Sequence, residues 1–398
     1  MVDFTFYNPC EIVFGKDAET RAGEMVKRHG GHRVLLHYGK GSIKKNGLYG
    51  RVIASLNAEG IPWEELGGVV PNPRWSLSRE GAGMCRDRKL DFILAVGGGS
   101  VIDSAKAMAA QAVYDGDLWE DSFKGGKEVT NALPVGTILT IPAAGSEMSD
   151  RAVITEEEAR VKLTCKGDGM IPVFSLLNPS ITFSLPLYHV ACGVVDMLSH
   201  MMERYFTRVG HVTVTDLMLE GAMKSVVKLG PVTLREPYNY DIRSEIVWAS
   251  TVAHNNFLGC GREGDWTSHR MEHELSALYD IAHGAGLAIM LPAWMRYVSQ
   301  IKKTRVVRFA THVMGIPSAG NPDLRIISQG IAALEAFFRG LGMPTSFRDA
   351  GLPPDRIDEM TDRANRWNGL GNYVRLDKED IRAIYRMAAE GRDFIPPQ

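Results

Sequence analysis

The pattern of apolar and polar residues changes about half-way along the chain. Up to about Leu185, short apolar runs bounded by glycine, proline or polar residues alternate with stretches of helical periodicity. Buried strands are predicted over residues 32–39, 90–100, 134–143 and 171–179, and helices over 47–60 and 101–115. Because this alternation favours a mostly parallel sheet covered by helices on both faces, residues 1–185 are predicted to form a Rossmann-like α/β domain.

From Pro186 onward, strand signals nearly vanish. Long helical patterns cover residues 187–206, 213–230, 243–261 and 323–342, which predicts an all-α domain built as a bundle over residues 186–398. The turn-prone segment LNPSITFSLP marks the boundary between the two domains. The last five residues, FIPPQ, are expected to be frayed.

Composition excludes several classes of protein. A net charge of −2 over 398 residues gives no electrostatic reason to expect nucleic acid or an anionic membrane as a partner. The chain contains no run of 18 apolar residues, and its first residues lack the basic and apolar regions of a signal peptide. The five cysteines are widely spaced and form no CxxC pair, so we expect reduced thiols in a cytoplasmic protein.

One carboxylate and four histidines in the second half of the chain suggest a metal site. Asp196 and His200 stand four apart, and so do His269 and His273, so each pair shares one face of a helix. His283 follows shortly after. A carboxylate with imidazoles suits Fe(II) or Zn(II), and a buried aspartate in an apolar helix needs such a partner. Five candidates exceed the four ligands of a tetrahedral site, and the spacing does not say which one has another role.

A glycine-rich segment, AVGGGSVIDSAKA, suggests a phosphate-binding loop. Gly97, Gly98 and Gly99 would let a ligand approach the backbone, and Ser100 stands where a helix would begin. Free N–H groups and the positive helix end there favour a pyrophosphate, and the charge of Asp103 suits the same first turn. The segment is not GxGxxG, so a plain strand-to-helix turn remains an alternative.

A second glycine-rich segment follows an earlier predicted strand. NAD-binding sites usually place an acidic residue at the end of such a strand, to hold the ribose 2′-OH. The residues there include instead Gly39, Gly41, Ser42 and Lys45, with further lysines at 40 and 44. These side chains suit a 2′-phosphate, which favours NADP(H) over NAD(H). The alternative is a solvated basic loop, because lysines are commonly exposed.

Together these residues resemble the iron-containing, or group III, alcohol dehydrogenase family, in its butanol dehydrogenase and NADPH-dependent aldehyde reductase branch. The resemblance runs along the whole chain in order. It is carried by FYNPCEIVFG, YGKGSIKKNGLYG, VVPNP, GGGSVIDSAK, GSE, NPSITFSLP, GVVDMLSH and the spaced histidines. It implies a dehydroquinate-synthase-like fold and the interconversion of aldehydes and primary alcohols by hydride transfer with NADP(H).

The resemblance also implies the roles of individual residues. The metal ligands would be Asp196, His200, His269 and His283, and His273 would relay a proton. The cofactor contacts would be Asn72, Gly97, Gly98, Gly99, Ser100, Asp103, Thr140, Ser146, Lys162, Thr182 and Leu185. The chain departs from the family at Ala144, where a threonine is frequent, and at Arg151, which is expected to pair with Asp150 or Glu147.

Two alternative functions are compatible with the same residues. Alternatives are a polyol or glycerol-type dehydrogenase of the same superfamily and a metallohydrolase, which needs no dinucleotide loop. A phosphorylated substrate is disfavoured because few basic residues flank the candidate ligands.

The first segment carries Phe4, Phe6 and Tyr7 as an apolar strip, and in the resembling family it pairs across a dimer. We therefore expect a homodimer, with pairing of this segment to its own sheet as the alternative.

Overall fold

The computed structural model describes residues 1–391, so the expected fraying of residues 394–398 lies outside the described residues. The strands are β1 (Glu11–Phe14), β2 (Val34–Gly39), β3 (Trp63–Val69), β4 (Phe92–Gly98), β5 (Val135–Ile141), β6 (Arg151–Glu156), β7 (Val161–Lys166) and β8 (Phe174–Leu177). The helices are α1 (Ala22–Arg28), α2 (Ser42–Lys45), α3 (Leu48–Ala58), α4 (Trp75–Arg88), α5 (Gly99–Val113), α6 (Leu187–Tyr205), α7 (Thr213–Arg235), α8 (Tyr240–His254), α9 (Thr267–Tyr279), α10 (His283–Ile301), α11 (Thr304–His312), α12 (Asp323–Gly340), α13 (Ile357–Ala364) and α14 (Lys378–Glu390).

The chain divides into two compact units. The sheet unit comprises Tyr7–Pro186 and Pro237–Asn255, and the helical unit comprises Met1–Phe6, Leu187–Glu236 and the chain from Asn256 onward. The main division falls next to the predicted boundary. Two segments are grouped differently from the prediction: α8 packs within the sheet unit, and the first six residues pack within the helical unit. In both cases a short segment packs with a unit that is not its neighbour along the chain, which the hydrophobic pattern of the sequence does not reveal.

The sheet unit has the predicted α/β architecture. All neighbouring strands of its main sheet are parallel, in the order β1-β8-β5-β4-β2-β3. From β2 the chain moves outward to β3 and then returns to the other side of β2 as β4. The carboxyl ends of β2 and β4 therefore form the switch point of the sheet, which is where such folds bind their ligands.

Two apolar layers cover the sheet. Every residue of β4 is buried, as expected for a strand in the middle of a parallel sheet. One core lies under α1 and α3 and includes Leu36, Val52 and Phe92. The other lies under α4 and α5 and includes Leu35 and Ala105.

Several strands were not predicted. β6 and β7 form a separate antiparallel hairpin, in which buried residues alternate only partly with exposed ones. β3 was missed because only its last residue, Val69, is buried. In the N-terminal segment, where pairing was expected, β1 follows the alternative and pairs in parallel with β8 at the edge of its own sheet. Residues 1–10 are in no strand.

The helical unit is held together by a large aromatic core. The ring of Phe206 lies 4.9 Å from that of Trp294 and 5.6 Å from that of Tyr373, measured between centroids. All three side chains are buried. Among the described residues, none of the helices is long and apolar enough to cross a membrane.

Helices α6 and α10 approach each other closely at Gly284. A Cβ atom on Gly284 would lie 2.3 Å from the carbonyl oxygen of Cys192 and 2.6 Å from its Cα atom. Only glycine fits here, because the obstructing atoms belong to the backbone of α6 and cannot rotate away. Gly221 in α7 offers the opposite case, since it is exposed and a Cβ atom there would meet nothing within 4 Å.

We predict that Gly284→Ala lowers the free energy of unfolding by about 1–3 kcal/mol, as overpacking does elsewhere. Gly221→Ala should instead raise it, by roughly 0.5–1 kcal/mol, because alanine is the better helix former. Urea unfolding of both variants measures the difference. Equal stability of Gly284→Ala and the unaltered chain would contradict the tight crossing of α6 and α10.

Candidate metal centre and cofactor loops

Three helices of the helical unit bring the four predicted metal ligands together. Helix α6 carries Asp196 and His200 one turn apart, α9 carries His269 in its first turn, and α10 begins at His283. Asp196, His200 and His269 are buried, whereas His283 is half-buried. The apolar remainder of α6 buries the helix, and this places a carboxylate and an imidazole inside the unit.

The distances within this cluster suit one metal ion. Asp196 Oδ1 lies 3.1 Å from His200 Nδ1 and 3.8 Å from the Nε2 atoms of both His269 and His283. One ligand atom from each of Asp196, His200 and His269 lies within 4.8 Å of the others. Two ligands bound about 2.1 Å from a tetrahedral ion are about 3.4 Å apart, so small movements would complete the coordination.

Two polar atoms at the centre of the cluster lack hydrogen bonds. Asp196 Oδ1 and His269 Nε2 are both buried without a hydrogen-bond partner among residues 1–391. His200 does not serve Asp196 Oδ1, because its Nδ1 is directed at the Asp196 backbone carbonyl oxygen, 3.0 Å away. Orphaned buried groups are costly, and a cation between them would satisfy both. The residues present therefore fit a divalent metal.

The electrostatics of the cluster also favour a cation. Burial would raise the pKa of Asp196, but His200 and the other imidazoles hold it well below its usual range. Burial lowers the pKa of His200 to about 4, which keeps that ring neutral. Burial would also lower the pKa of His269, yet the carboxylates of Asp196 and Glu203 raise it to about 9. A proton at His269 occupies the place that a metal ion would take.

Two carboxylates behind the histidines were missed by the sequence analysis. Glu203 Oε1 accepts a hydrogen bond from His269 Nδ1 at 2.9 Å, and Glu272 Oε2 accepts one from His283 Nδ1. Glu203 follows Asp196 by seven residues and His200 by three, so all three share one face of α6. This spacing on α6 is the sequence signal that could have identified Glu203.

His273 lies one turn after His269 on α9 and is half-buried. Its ring centroid is 5.6 Å from that of His283. His273, Glu272 and His283 each offer a ligand atom within 4.8 Å of the others. His273 therefore belongs to the same cluster but stands at its more accessible side, as the role of a proton relay requires.

In the sheet unit, the two glycine-rich segments meet at the switch point of the sheet. β2 ends at Gly39 and β4 ends at Gly98, and these strands are neighbours, with Tyr38 opposite Val96. A Cβ atom on Gly97 would lie 2.4 Å from the Val101 side chain, and one on Gly98 would lie 2.8 Å from Ile141. Helix α5 begins at Gly99, so its free N–H groups point toward this edge of the sheet.

Several of the other predicted cofactor contacts lie in α5 or beside the end of β4. Ser146 donates a hydrogen bond to Asp103, whose other oxygen accepts one from Val153 N at 2.9 Å. Lys162 Nζ donates to Asn72 Oδ1 at 3.1 Å. Thr140 lies in β5 beside Gly97 and Gly98, Ser100 opens α5, and Thr182 and Leu185 lie in and just after the 3₁₀ helix Pro179–Ser184. Asp103 is thus engaged within the protein, and burial raises its pKa.

The second glycine-rich segment forms the short helix α2, which begins after Gly41. Ser42, Lys44 and Lys45 are all exposed, but the ammonium group of Lys44 is already paired within the protein. Its Nζ lies 3.3 Å from both carboxylate oxygens of Glu65 and above the ring of Tyr49. No acidic residue directly follows β2 in sequence, but Glu65 reaches this loop from the neighbouring strand β3, 21 residues after Lys44.

Arg151 behaves as expected. Its Nε atom lies 3.5 Å from Asp150 Oδ1, within ion-pair distance.

Comparison with known proteins agrees with this geometry. Residues 9–179 match the family described as iron-containing alcohol dehydrogenase, and residues 190–389 match its C-terminal part. The chain belongs to the iron-containing alcohol dehydrogenase family. Its membership confirms the resemblance inferred from the sequence, and the two matches fall on either side of Pro186.

Relatives within the iron-containing alcohol dehydrogenase family extend over the whole chain. The chain is 42% identical to a probable NADH-dependent butanol dehydrogenase of Bacillus subtilis, covering 97% of this chain and 99% of the relative. It is 38% identical to an NADPH-dependent aldehyde reductase of Escherichia coli, covering 98% and 100%. The crystal structure of an NADH-dependent butanol dehydrogenase of Thermotoga maritima matches with a TM-score of 0.93 and 40% identity, covering 98% and 99%.

If His269 is a metal ligand, His269→Ala should lose most of the bound metal and activity while the fold persists. One of four converging ligands is then missing, and the remaining three leave the site open. Metal analysis of the purified variant, with circular dichroism as a check on the fold, measures this outcome. His312→Ala, which removes an imidazole that is 48% exposed and outside the cluster, is the matched control. Full metal occupancy in His269→Ala would show that the ligand set is wrong.

Proposed function

We propose that this protein interconverts aldehydes and primary alcohols by hydride transfer with NADP(H), at one divalent metal ion, Fe(II) or Zn(II). The observation that carries the proposal is the pair of orphaned buried atoms, Asp196 Oδ1 and His269 Nε2, with two further imidazoles beside them. The names of the relatives, butanol dehydrogenase and aldehyde reductase, support the substrate class.

Metal binding and proton transfer are assigned to different residues. When bound, the metal would supply Lewis acidity toward the substrate oxygen and the nicotinamide would donate or accept the hydride. Asp196, His200, His269 and His283 would hold the ion. His273, half-buried beside His283, would pass the proton between the alcohol oxygen and solvent.

The glycine-rich start of α5 would orient the cofactor. Gly97 and Gly98 leave no room for side chains, so the backbone at the end of β4 is bare where a pyrophosphate would lie. Asp103, bonded to Ser146 and to the Val153 amide, would shape this loop from within. The preference for NADP(H) rests on Ser42 and Lys45, which remain exposed at the end of β2.

We also propose a homodimer formed through the N-terminal segment. Phe4, Phe6 and Tyr7 are 53%, 43% and 56% exposed. Phe6 packs edge-on against Phe257, and Val2 N donates a hydrogen bond to Gly261 O, so the segment is anchored but not covered. An exposed apolar strip next to an edge strand is a typical site of association.

The proposed function is tested by oxidation of NADPH and of NADH across a panel of aldehydes, with metal analysis of the same sample. We expect turnover that depends on metal and a higher kcat/KM with NADPH. Absence of turnover with every aldehyde in the metal-loaded protein would contradict the proposed function. Hydrolytic activity without use of either cofactor would favour a metallohydrolase instead.

Cofactor preference should depend on Lys45 more than on Lys44. Lys45→Ala should weaken NADPH binding roughly tenfold, because a charged hydrogen bond to the 2′-phosphate is lost, and should leave NADH binding unchanged. Lys44→Ala is the matched control on the same helix, since Lys44 is held by Glu65. Fluorescence titration with each nucleotide gives the dissociation constants. A preference of the unaltered chain for NADH would contradict the role given to Lys45.

His273 should behave differently from the metal ligands. His273→Ala should keep the metal but lose about 10²-fold or more in kcat, as expected for a general acid–base group. The pH profile of kcat should change as well, because a titrating group of the reaction is gone. Loss of metal from this variant would make His273 a ligand.

A further inference from the structure

The three candidate ligand histidines are held in the same way, by an acceptor at Nδ1. His200 Nδ1 lies 3.0 Å from the Asp196 carbonyl oxygen, His269 Nδ1 lies 2.9 Å from Glu203 Oε1, and His283 Nδ1 contacts Glu272 Oε2. An acceptor at Nδ1 keeps the proton on that nitrogen and leaves Nε2 with its lone pair. In His269 and His283 it is Nε2 that faces Asp196, at 3.8 Å.

Glu203 accepts hydrogen bonds from two backbone amides as well as from the His269 ring. Its Oε1 also accepts a hydrogen bond from the backbone N of His269 at 3.0 Å, and its Oε2 accepts one from Trp266 N at 2.6 Å. Helix α9 has no side-chain cap of its own at Trp266, so a carboxylate from α6 serves as its cap. One side chain thereby joins the helix that carries Asp196 and His200 to the start of the helix that carries His269.

Both glutamates are buried without a basic partner. Glu203 is 2% exposed and Glu272 is 0% exposed, and within residues 1–391 neither forms an ion pair with lysine or arginine. Glu274, only two residues after Glu272 and equally enclosed, shows the ordinary arrangement: it is paired with Arg363 at 2.7 Å and with Arg366. Buried carboxylates without a cation are costly, so the charge that balances Glu203 and Glu272 must come from the histidine cluster.

We propose that Glu203 and Glu272 are positioning residues of the metal centre, which set the tautomer and the orientation of His269 and His283 and hold the ion through their charge. The proposal rests on the proposed metal site and deepens it. With Asp196, the two glutamates place three carboxylates around three imidazoles. A divalent ion is then attracted by more negative charge than its direct ligands carry.

Glu272→Gln tests this most directly, because Glu272 contacts His283 and no backbone amide that caps a helix. Glutamine keeps an acceptor for His283 Nδ1 but removes the charge. The metal-loaded full chain is titrated with a chromophoric chelator, and Zn²⁺ retention gives the apparent dissociation constant. We expect affinity to fall 10–100-fold, the usual effect of removing such a partner, with one ion per chain still bound at saturating Zn²⁺.

Glu274→Gln is the matched control, since it removes a buried charge from the same helix outside the histidine cluster. Its affinity for Zn²⁺ should stay within about twofold of the unaltered chain. Glu203→Gln provides a second variant and should also weaken binding. Circular dichroism and thermal unfolding of the metal-free forms show whether each variant is folded, which a change of affinity alone does not.

The outcomes separate the two proposals. Unchanged Zn²⁺ affinity in folded Glu272→Gln and Glu203→Gln, or equal weakening in Glu274→Gln, overturns the positioning role while the metal site stands. Two ions per chain would also overturn it, because Glu272 would then be a ligand of a second site with His273 and His283. An unaltered chain that binds no Zn²⁺ overturns the metal centre itself and the positioning role with it.

Discussion

The helical unit depends on one buried carboxylate that its own polypeptide leaves unsatisfied. Asp196 stands in an apolar helix, ionised and without a hydrogen bond to Oδ1 from any described residue. Helices α9 and α10 converge on it and present imidazole nitrogens rather than basic side chains. An arrangement of this kind gives up stability in the absence of a cation, and a metal ion bound there would therefore contribute to the folding free energy of the unit.

Close packing supports that convergence. Gly284 lets α10 lie directly against the backbone of α6, next to the histidine that opens α10. Glu203 ties the first turn of α9 to the same helix through two backbone amides. The positions of the imidazoles thus follow from helix contacts and caps, which are rigid, rather than from loops.

The sequence predicted much of this, and the parts that it missed have physical reasons. The parallel sheet and the long helices follow from strong periodicity, and the clustering of Asp196 with the spaced histidines follows from their local spacing, although that spacing did not say which of them would be ligands. β3 and the hairpin β6–β7 were missed because their faces are only partly buried. Glu65 was missed because its partner Lys44 lies 21 residues earlier on another element. Glu272 was missed because its partner His283 was considered only as a ligand.

The ion pair between Lys44 and Glu65 offsets one of the positive charges of the candidate cofactor loop. Tyr38 and Tyr49 both donate hydrogen bonds to the same carboxylate, so Glu65 is anchored from the face of the sheet covered by α3. The charge near the loop is therefore governed from a neighbouring strand rather than by the loop itself. Cofactor preference could change through a substitution in β3 while every residue of the glycine-rich segment stayed the same.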